Sequence, residues 1–187
     1  SYLDDDILRT FNSYTYENET DNYWQDHYML HYNKQLANSG MFNLGLHFTH
    51  GEGYYEQYKN GQDFGDYGLN NIIVGNDTLT ETDLIRRKWL DNDFYGAVFS
   101  YNNKLNKLDY TLGGGWNTYD GRHYGVVRWA EYASNSQIDH IYYDNDGIKT
   151  DFNIYAKGLY QYNDNVTVYA DLQHRQIDYS FLGRDEN

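Results

Sequence analysis

The chain has 187 residues, no Cys, no Pro, 23 Tyr and a formal net charge of −14. This length favours one domain, the missing Cys removes disulfides and thiolate metal sites, and the acidity argues against a nucleic-acid partner, whose readers carry basic patches. No run of 18 apolar residues encodes a transmembrane helix, and the mean hydropathy of −0.91 is low for a membrane protein, a value that a barrel tolerates because only alternate strand residues meet lipid.

Period-two alternation predicts six strands in chain order. The first places Trp24, Asp26, Tyr28, Leu30 and Tyr32 on one face and Gln25, His27, Met29, His31 and Asn33 on the other. A short turn, Ala37-Asn38-Ser39, leads to a second with Phe42, Leu44, Leu46, Phe48 and His50 against Asn43, Gly45, His47 and Thr49. A long connection is expected from about Gly53 to Asn92. The third strand carries Tyr95, Ala97, Phe99 and Tyr101 against Phe94, Gly96, Val98 and Ser100, so both its faces are fairly apolar. After the turn Lys104 to Lys107, the fourth carries Leu108, Tyr110, Leu112, Gly114 and Trp116. A second long connection is expected from Gly121 to Thr150. The fifth strand presents Phe152, Ile154, Ala156, Gly158, Tyr160 and Tyr162, and the sixth Val166, Val168, Ala170 and Leu172.

Hairpin parity must bring apolar residues opposite apolar residues, because a one-residue slip sends every side chain to the wrong face. Pairing Tyr162 with Val166 satisfies this, with Asn163-Asp164-Asn165 as the loop, and sets Tyr160 by Val168, Gly158 by Ala170 and Ala156 by Leu172. The other two hairpins close with an odd and an even loop, and no bulge is expected. From Trp24 to Tyr32 the strand covers roughly 26 Å at about 3.3 Å per residue. Tilting by about 40° leaves a band of roughly 20 Å, close to the ~25 Å apolar band of an outer-membrane barrel. Trp24, Tyr95 and Trp116 mark one end of that band, and Tyr32, Tyr101 and Tyr162 the other, as interfacial girdles do. The fold expected is therefore all-β: an antiparallel up-and-down meander of about six strands, a fragment of a large transmembrane β-barrel. Six strands do not close such a barrel, and the opening Ser1-Tyr2-Leu3 carries no Met and no signal peptide. Residues 1–187 are read as three hairpins with two long extracellular loops, cut from a longer precursor.

The stretch Trp24-Gln25-Asp26-His27-Tyr28-Met29-Leu30-His31-Tyr32 is followed by Leu46-His47-Phe48-Thr49-His50-Gly51-Glu52-Gly53-Tyr54-Tyr55-Glu56-Gln57-Tyr58-Lys59. Further on come Asp83-Leu84-Ile85-Arg86-Arg87-Lys88-Trp89-Leu90-Asp91-Asn92-Asp93-Phe94-Tyr95-Gly96 and Leu112-Gly113-Gly114-Gly115-Trp116-Asn117. As a block these resemble the barrel of bacterial TonB-dependent outer-membrane receptors, in which about 22 strands enclose an N-terminal plug. The resemblance implies a segment of a receptor in the cell outer membrane that imports a scarce nutrient. A ferric siderophore or haem-type complex is favoured, with cobalamin or an oligosaccharide as further candidates. It implies outer-membrane lipid and a small nutrient complex as partners, and TonB acting through the plug, which these residues do not include. As a piece of an open barrel sheet, the isolated fragment is expected to self-associate; the alternative is a soluble β-rich adhesion or glycan-binding module.

No catalytic constellation is present: nucleophile elbow, P-loop and HExxH patterns are all missing, so no enzyme activity and no cofactor are expected. His27 and His31 share a face, with His47 across from His31 in a wider hairpin, and could approach as metal ligands; a hydrogen-bonding polar wall is the preferred reading, and no metal is assigned. Asp4-Asp5-Asp6 and Asp144-Asn145-Asp146-Gly147 offer hard oxygens for Ca²⁺ but lack the full EF-hand spacing, and read better as solvated acids. Arg86-Arg87-Lys88 could meet lipopolysaccharide phosphates or an anionic ligand, and is expected instead to be balanced by Asp83, Asp91 and Asp93. The tyrosine-rich segments supply the ligand-binding candidates Tyr54, Tyr55, Tyr58, Trp129 and Tyr132, whose rings combine an apolar face with a polar tip.

Overall fold

A computed structural model describes residues 16–36 and 39–183. Eight strands run β1 Thr20–Gln35, β2 Met41–Asp63, β3 Ile72–Val74, β4 Asp77–Leu79, β5 Glu81–Leu105, β6 Leu108–Ala130, β7 His140–Asn163 and β8 Val166–Leu182. Six of them form one antiparallel up-and-down sheet in the order β1-β2-β5-β6-β7-β8, and β3 and β4 make a separate hairpin. The Asp4-Asp5-Asp6 run lies outside the described residues.

The strands of the main sheet are far longer than alternation alone indicates. β2, β5, β6 and β7 have 23, 25, 23 and 24 residues, about twice the 9–11 that cross a bilayer. Most of the expected connection from Gly53 to Asn92, and most of that from Gly121 to Thr150, is thus strand. The apolar–polar alternation fades there, but the backbone ladder does not need it, and Tyr, Thr and Val keep favouring extended chain.

The chain divides into two compact units. Among the described residues, the sheet unit comprises those of 23–53, 89–124 and 143–183. Its apolar face assembles as the alternation requires: the rings of Tyr28 and Phe48 lie 6.1 Å apart, Tyr95 and Trp116 5.9 Å, and Tyr101 and Tyr110 6.1 Å. Phe99 and Ile154 close over Gly114, and Leu108 over Gly158. The opposite face is a hydrogen-bonded polar wall, with His27 to Thr49 at 2.9 Å, His47 to Asn117 at 2.7 Å, Asn43 to Ser100 at 3.1 Å and Thr111 to Asn102 at 2.7 Å. His27, His31 and His47 do not converge, and no cluster of metal-ligating residues occurs among the described residues. Asp144 is engaged by both Nε and Nη2 of Arg122, at 2.7 and 2.6 Å, and Asn145 is buried within β7, so the acidic run there is part of a strand.

The β7–β8 register sets Tyr160 by Val168, Gly158 by Ala170 and Ala156 by Leu172, as parity demands. The turn itself differs. Asn163 pairs with Val166, leaving the two-residue loop Asp164-Asn165, and the ladder shifts between Gln161 and Asn163. Tyr162 is therefore bulged and does not pair with Val166. A two-residue loop has the wrong parity for these faces, and the extra residue in β7 restores it. The β5–β6 turn is also tighter than expected, Asn106-Lys107, with Asn106 at φ 51°, a left-handed position that Asn tolerates. Two glycines permit the close packing of this unit. A Cβ on Gly96 would lie 2.3 Å from the Trp116 carbonyl oxygen, and one on Gly113 would meet the Tyr155 ring at 2.6 Å.

The second unit gathers Tyr54–Lys88 and Gly125–Tyr142, with residues 16–22. Here the apolar residues close on themselves. Phe64, Tyr67, Leu69, Leu84 and Val127 are buried, and Ile72, Leu79, Ala130 and Tyr142 pack around them.

Candidate functional site

The connections of this second unit are built structures rather than open loops. After β2, a turn of 3-10 helix at Gly65–Tyr67 brings the amides of Tyr67 and Leu69 onto the Phe64 carbonyl, at 3.2 and 2.8 Å. The segment ends at Gly68, whose φ of 64° suits a residue without Cβ. The β3–β4 hairpin turns at Gly75-Asn76, with Gly75 at φ 65°. The connection between β6 and β7 is tied to this segment. Ser134 donates its hydroxyl to the Asn70 carbonyl at 2.5 Å, the Asn70 amide donates to Asn135 Oδ1 at 2.8 Å, and His140 Nε2 lies 2.9 Å from the Tyr67 carbonyl.

Successive residues of a strand point to opposite sides, and this splits the tyrosine-rich segment in two. Tyr54, Glu56 and Tyr58 share one side. Glu56 is buried; it accepts hydrogen bonds from the Tyr16 hydroxyl at 2.6 Å and from Arg87 Nε at 2.5 Å. Arg87 also sits 4.1 Å above the Tyr54 ring, a cation–π arrangement. Burial pushes the Glu56 carboxyl up, but the bonds from Tyr16 and Arg87 outweigh it and hold it below the usual range. Tyr58 donates to Asp83, which also accepts from Asn60 at 2.9 Å and from the Gly61 amide at 2.8 Å. The Tyr58 bond and the Gly61 amide keep the Asp83 carboxyl low. Arg128 pairs with Asp139 and adds its charge to the field at Glu56.

Tyr55 and Gln57 point the other way, toward the side that carries Arg86. Arg86 Nη2 donates to Gln57 Oε1 at 3.2 Å and Nη1 to the Tyr67 hydroxyl at 3.1 Å. Tyr55 contributes to the field around the same guanidinium. In β6, Trp129 is two positions from the buried Val127 and shares its side by alternation; its ring is half exposed. Tyr132 follows β6, half exposed, with its amide on Thr82 Oγ1 at 3.0 Å.

The five tyrosine and tryptophan candidates therefore do not form one cluster. Tyr54 and Tyr58 are tied to charged partners, whereas Tyr55 and Trp129 fall on the Arg86 side. The expected balance of the basic run by Asp83, Asp91 and Asp93 is corrected for Arg87, Asp83 and Asp93. Arg87 pairs with Glu56, Asp83 is taken by Tyr58, Asn60 and Gly61, and Asp93 pairs with His50 at 2.9 Å. Which acid meets which base depends on strand register, which the local spacing does not encode. The apolar cluster was also missed, although Phe64, Leu69, Ile72, Leu79 and Leu84 form a run of large apolar residues unusual for a solvated loop. No family model matches this chain, and no curated protein matches it.

Proposed function

We propose that the chain is a segment of a TonB-dependent receptor in the bacterial outer membrane, and that it takes part in importing a scarce nutrient complex. One observation carries this reading: among the described residues, the apolar face of the sheet unit is exposed. Leu30 is 63% exposed, Val168 53% and Leu172 78%, while the buried apolar cluster lies wholly in the other unit. A soluble sandwich covers such a face with a second sheet. Lipid covers it in a transmembrane barrel, and the opposite polar wall then faces the lumen. The sequential up-and-down order agrees with this, as do the aromatic residues at the ends of the apolar band.

On this reading the second unit offers the ligand surface, with Tyr55 and Trp129 as its best aromatic contacts. Tyr54 and Tyr58 have charged partners to hold. The full-length product is expected in outer-membrane fractions, folded in SDS unless heated. A single Cys replacing Asn70, whose side chain makes no bond in the described structure while its backbone does, is expected to react with an impermeant thiol reagent on whole cells. Labelling only after the outer membrane is opened would defeat the topology. Recovery of the full-length product in the soluble fraction would favour the adhesion or glycan-binding alternative.

A further inference from the structure

Arg86 is the cation whose charge its own contacts do not explain. Five arginines lie among the described residues. Arg87, Arg122, Arg128 and Arg175 each have a carboxylate partner: Glu56, Asp144, Asp139 and Asp151. Among the described residues Arg86 has none. Its two hydrogen bonds go to neutral acceptors, Gln57 Oε1 and the Tyr67 hydroxyl. Its Nε is closed off from solvent and has no hydrogen-bond partner.

A half-buried guanidinium without a counter-ion is expensive, since desolvation of an ion costs several kcal/mol unless a partner offsets it. If the role were only to tie Tyr67 to Gln57, a neutral amide donor would do so at lower cost. Burial opposes the charge of Arg86 while the Tyr67 hydrogen bond supports it, and a guanidinium keeps its proton at any working pH. A guanidinium has five N–H donors in a rigid fork. With one donor each of Nη1 and Nη2 used, a second hydrogen on each remains to donate to an oxyanion. The chain as a whole carries −14, so an unpaired cation here is a local exception to its repulsion of anions.

We propose that Arg86, flanked by Gln57 and Tyr55, is a binding site for a small oxyanion, with the free Nη donors taking two oxygens of a carboxylate or phosphate group. The ligand supplies the missing counter-ion, and Tyr55 supplies an apolar face beside it. This rests on the receptor reading for its biological meaning and names an anionic cargo, but the site itself stands on the local geometry.

The test uses the full-length protein in detergent. Selective ¹⁵N-arginine labelling follows the Arg86 Nε–H resonance, assigned by its loss in Arg86→Lys, during titration with citrate in one arm and inorganic phosphate in the other. Saturable shifts of that resonance with either probe are expected, and the responding arm identifies the carboxylate or phosphate class. Arg86→Gln is expected to weaken binding by about tenfold or more, as loss of a charged hydrogen-bond donor does. Arg86→Lys retains the charge without the fork and falls between. Arg122→Gln, at an exposed ion pair, serves as control and leaves the affinity unchanged. An Nε–H resonance that does not move with either probe, or equal binding by Arg86→Gln and the parent, overturns the proposal. Because the parent protein reports through its own resonance, a misfolded variant does not rescue the idea. Binding by a protein found in the soluble fraction would leave the site standing and remove the transport reading.

Discussion

Phe64 offers the sharpest perturbation of the second unit. Its side chain is fully buried, 0% exposed, in a cluster with only Leu84 equally enclosed. Phe64→Ala removes the ring from water-excluded packing and leaves a cavity that so small a cluster can only partly close. Buried Phe→Ala changes cost about 3–5 kcal/mol, and each ~1.4 kcal/mol is a tenfold change in an opening equilibrium. The Tyr67 and Leu69 amides report directly, since both donate to the Phe64 carbonyl. In the regime where hydrogen exchange follows the opening equilibrium, their exchange is expected to accelerate by about two to three orders of magnitude, or to the unprotected rate if that comes first. The amides of Ile154 and Val168, which lie in the sheet unit, are expected to keep their rates. Phe64→Leu, which retains most of the apolar volume, should show a far smaller effect. Acceleration of less than about threefold at Tyr67 and Leu69 would mean that the cluster does not hold this segment, and the reasoning would fail.

Glu56 gives a pH dependence of known sign. Its folded carboxyl is held low by Tyr16 and Arg87 against the effect of burial, so its stabilisation is full above the ordinary carboxylate range and disappears as pH falls through the depressed folded value. Acid should therefore loosen the neighbourhood of Tyr54 and Arg87, read by exchange at those amides, and Glu56→Gln should flatten that dependence. Gly96→Val places carbon against the Trp116 carbonyl, where even a Cβ would stand at 2.3 Å; recovery of folded protein should drop sharply, as overpacking costs about 1–3 kcal/mol or more. Residues 1–187 alone, freed of detergent, should self-associate through Leu44, Leu46, Phe99, Leu112, Ile154 and Val168. A light-scattering mass of one chain with these residues exposed would count against the lipid-facing assignment.

Strand order and facing were legible because period two is strong wherever one face is apolar. Tyr28 and Phe48, Tyr95 and Trp116, and Tyr160 and Val168 meet as alternation requires. Strand ends were not legible, because beyond Phe48 both faces of β2 are polar, glycine or aromatic, and before Phe94 the apolar residues of β5, Leu84, Ile85, Trp89 and Leu90, fall on both faces without alternation, while the hydrogen-bonded ladder continues. The bulge at Tyr162 was missed for a related reason. Parity fixes whether an extra residue is needed, but not whether it sits in the turn or in the strand. In the candidate site, residue types were visible and their partners were not. Tyr54 and Tyr55 are neighbours in sequence and point apart, whereas Glu56 finds Tyr16 and Arg87 from 40 and 31 positions away.

The apolar cluster and the strand register constrain each other in a way that neither does alone. Leu84 is buried in the cluster while its neighbour Asp83 accepts from Tyr58, Asn60 and Gly61 on the opposite side of β5. A slip of β5 by one residue against β2 would exchange these sides. It would present Asp83 or Ile85 to the space Leu84 fills, and an unpaired carboxylate there would face the full cost of desolvation. It would also strand the Asn60 and Gly61 donors without their acceptor. Both penalties fall on the same slip, so the cluster selects one register for β5 over polar strand ends where alternation no longer does. The same register puts Arg86 on the side of Gln57 and Tyr55, and Arg87 on the side of Glu56. The position of the unpaired guanidinium is thereby set by the burial of Leu84 two residues earlier. A substitution that loosens Leu84 should disturb anion binding at Arg86 before it disturbs the ion pair of Arg87, whose partner Glu56 is anchored independently by Tyr16.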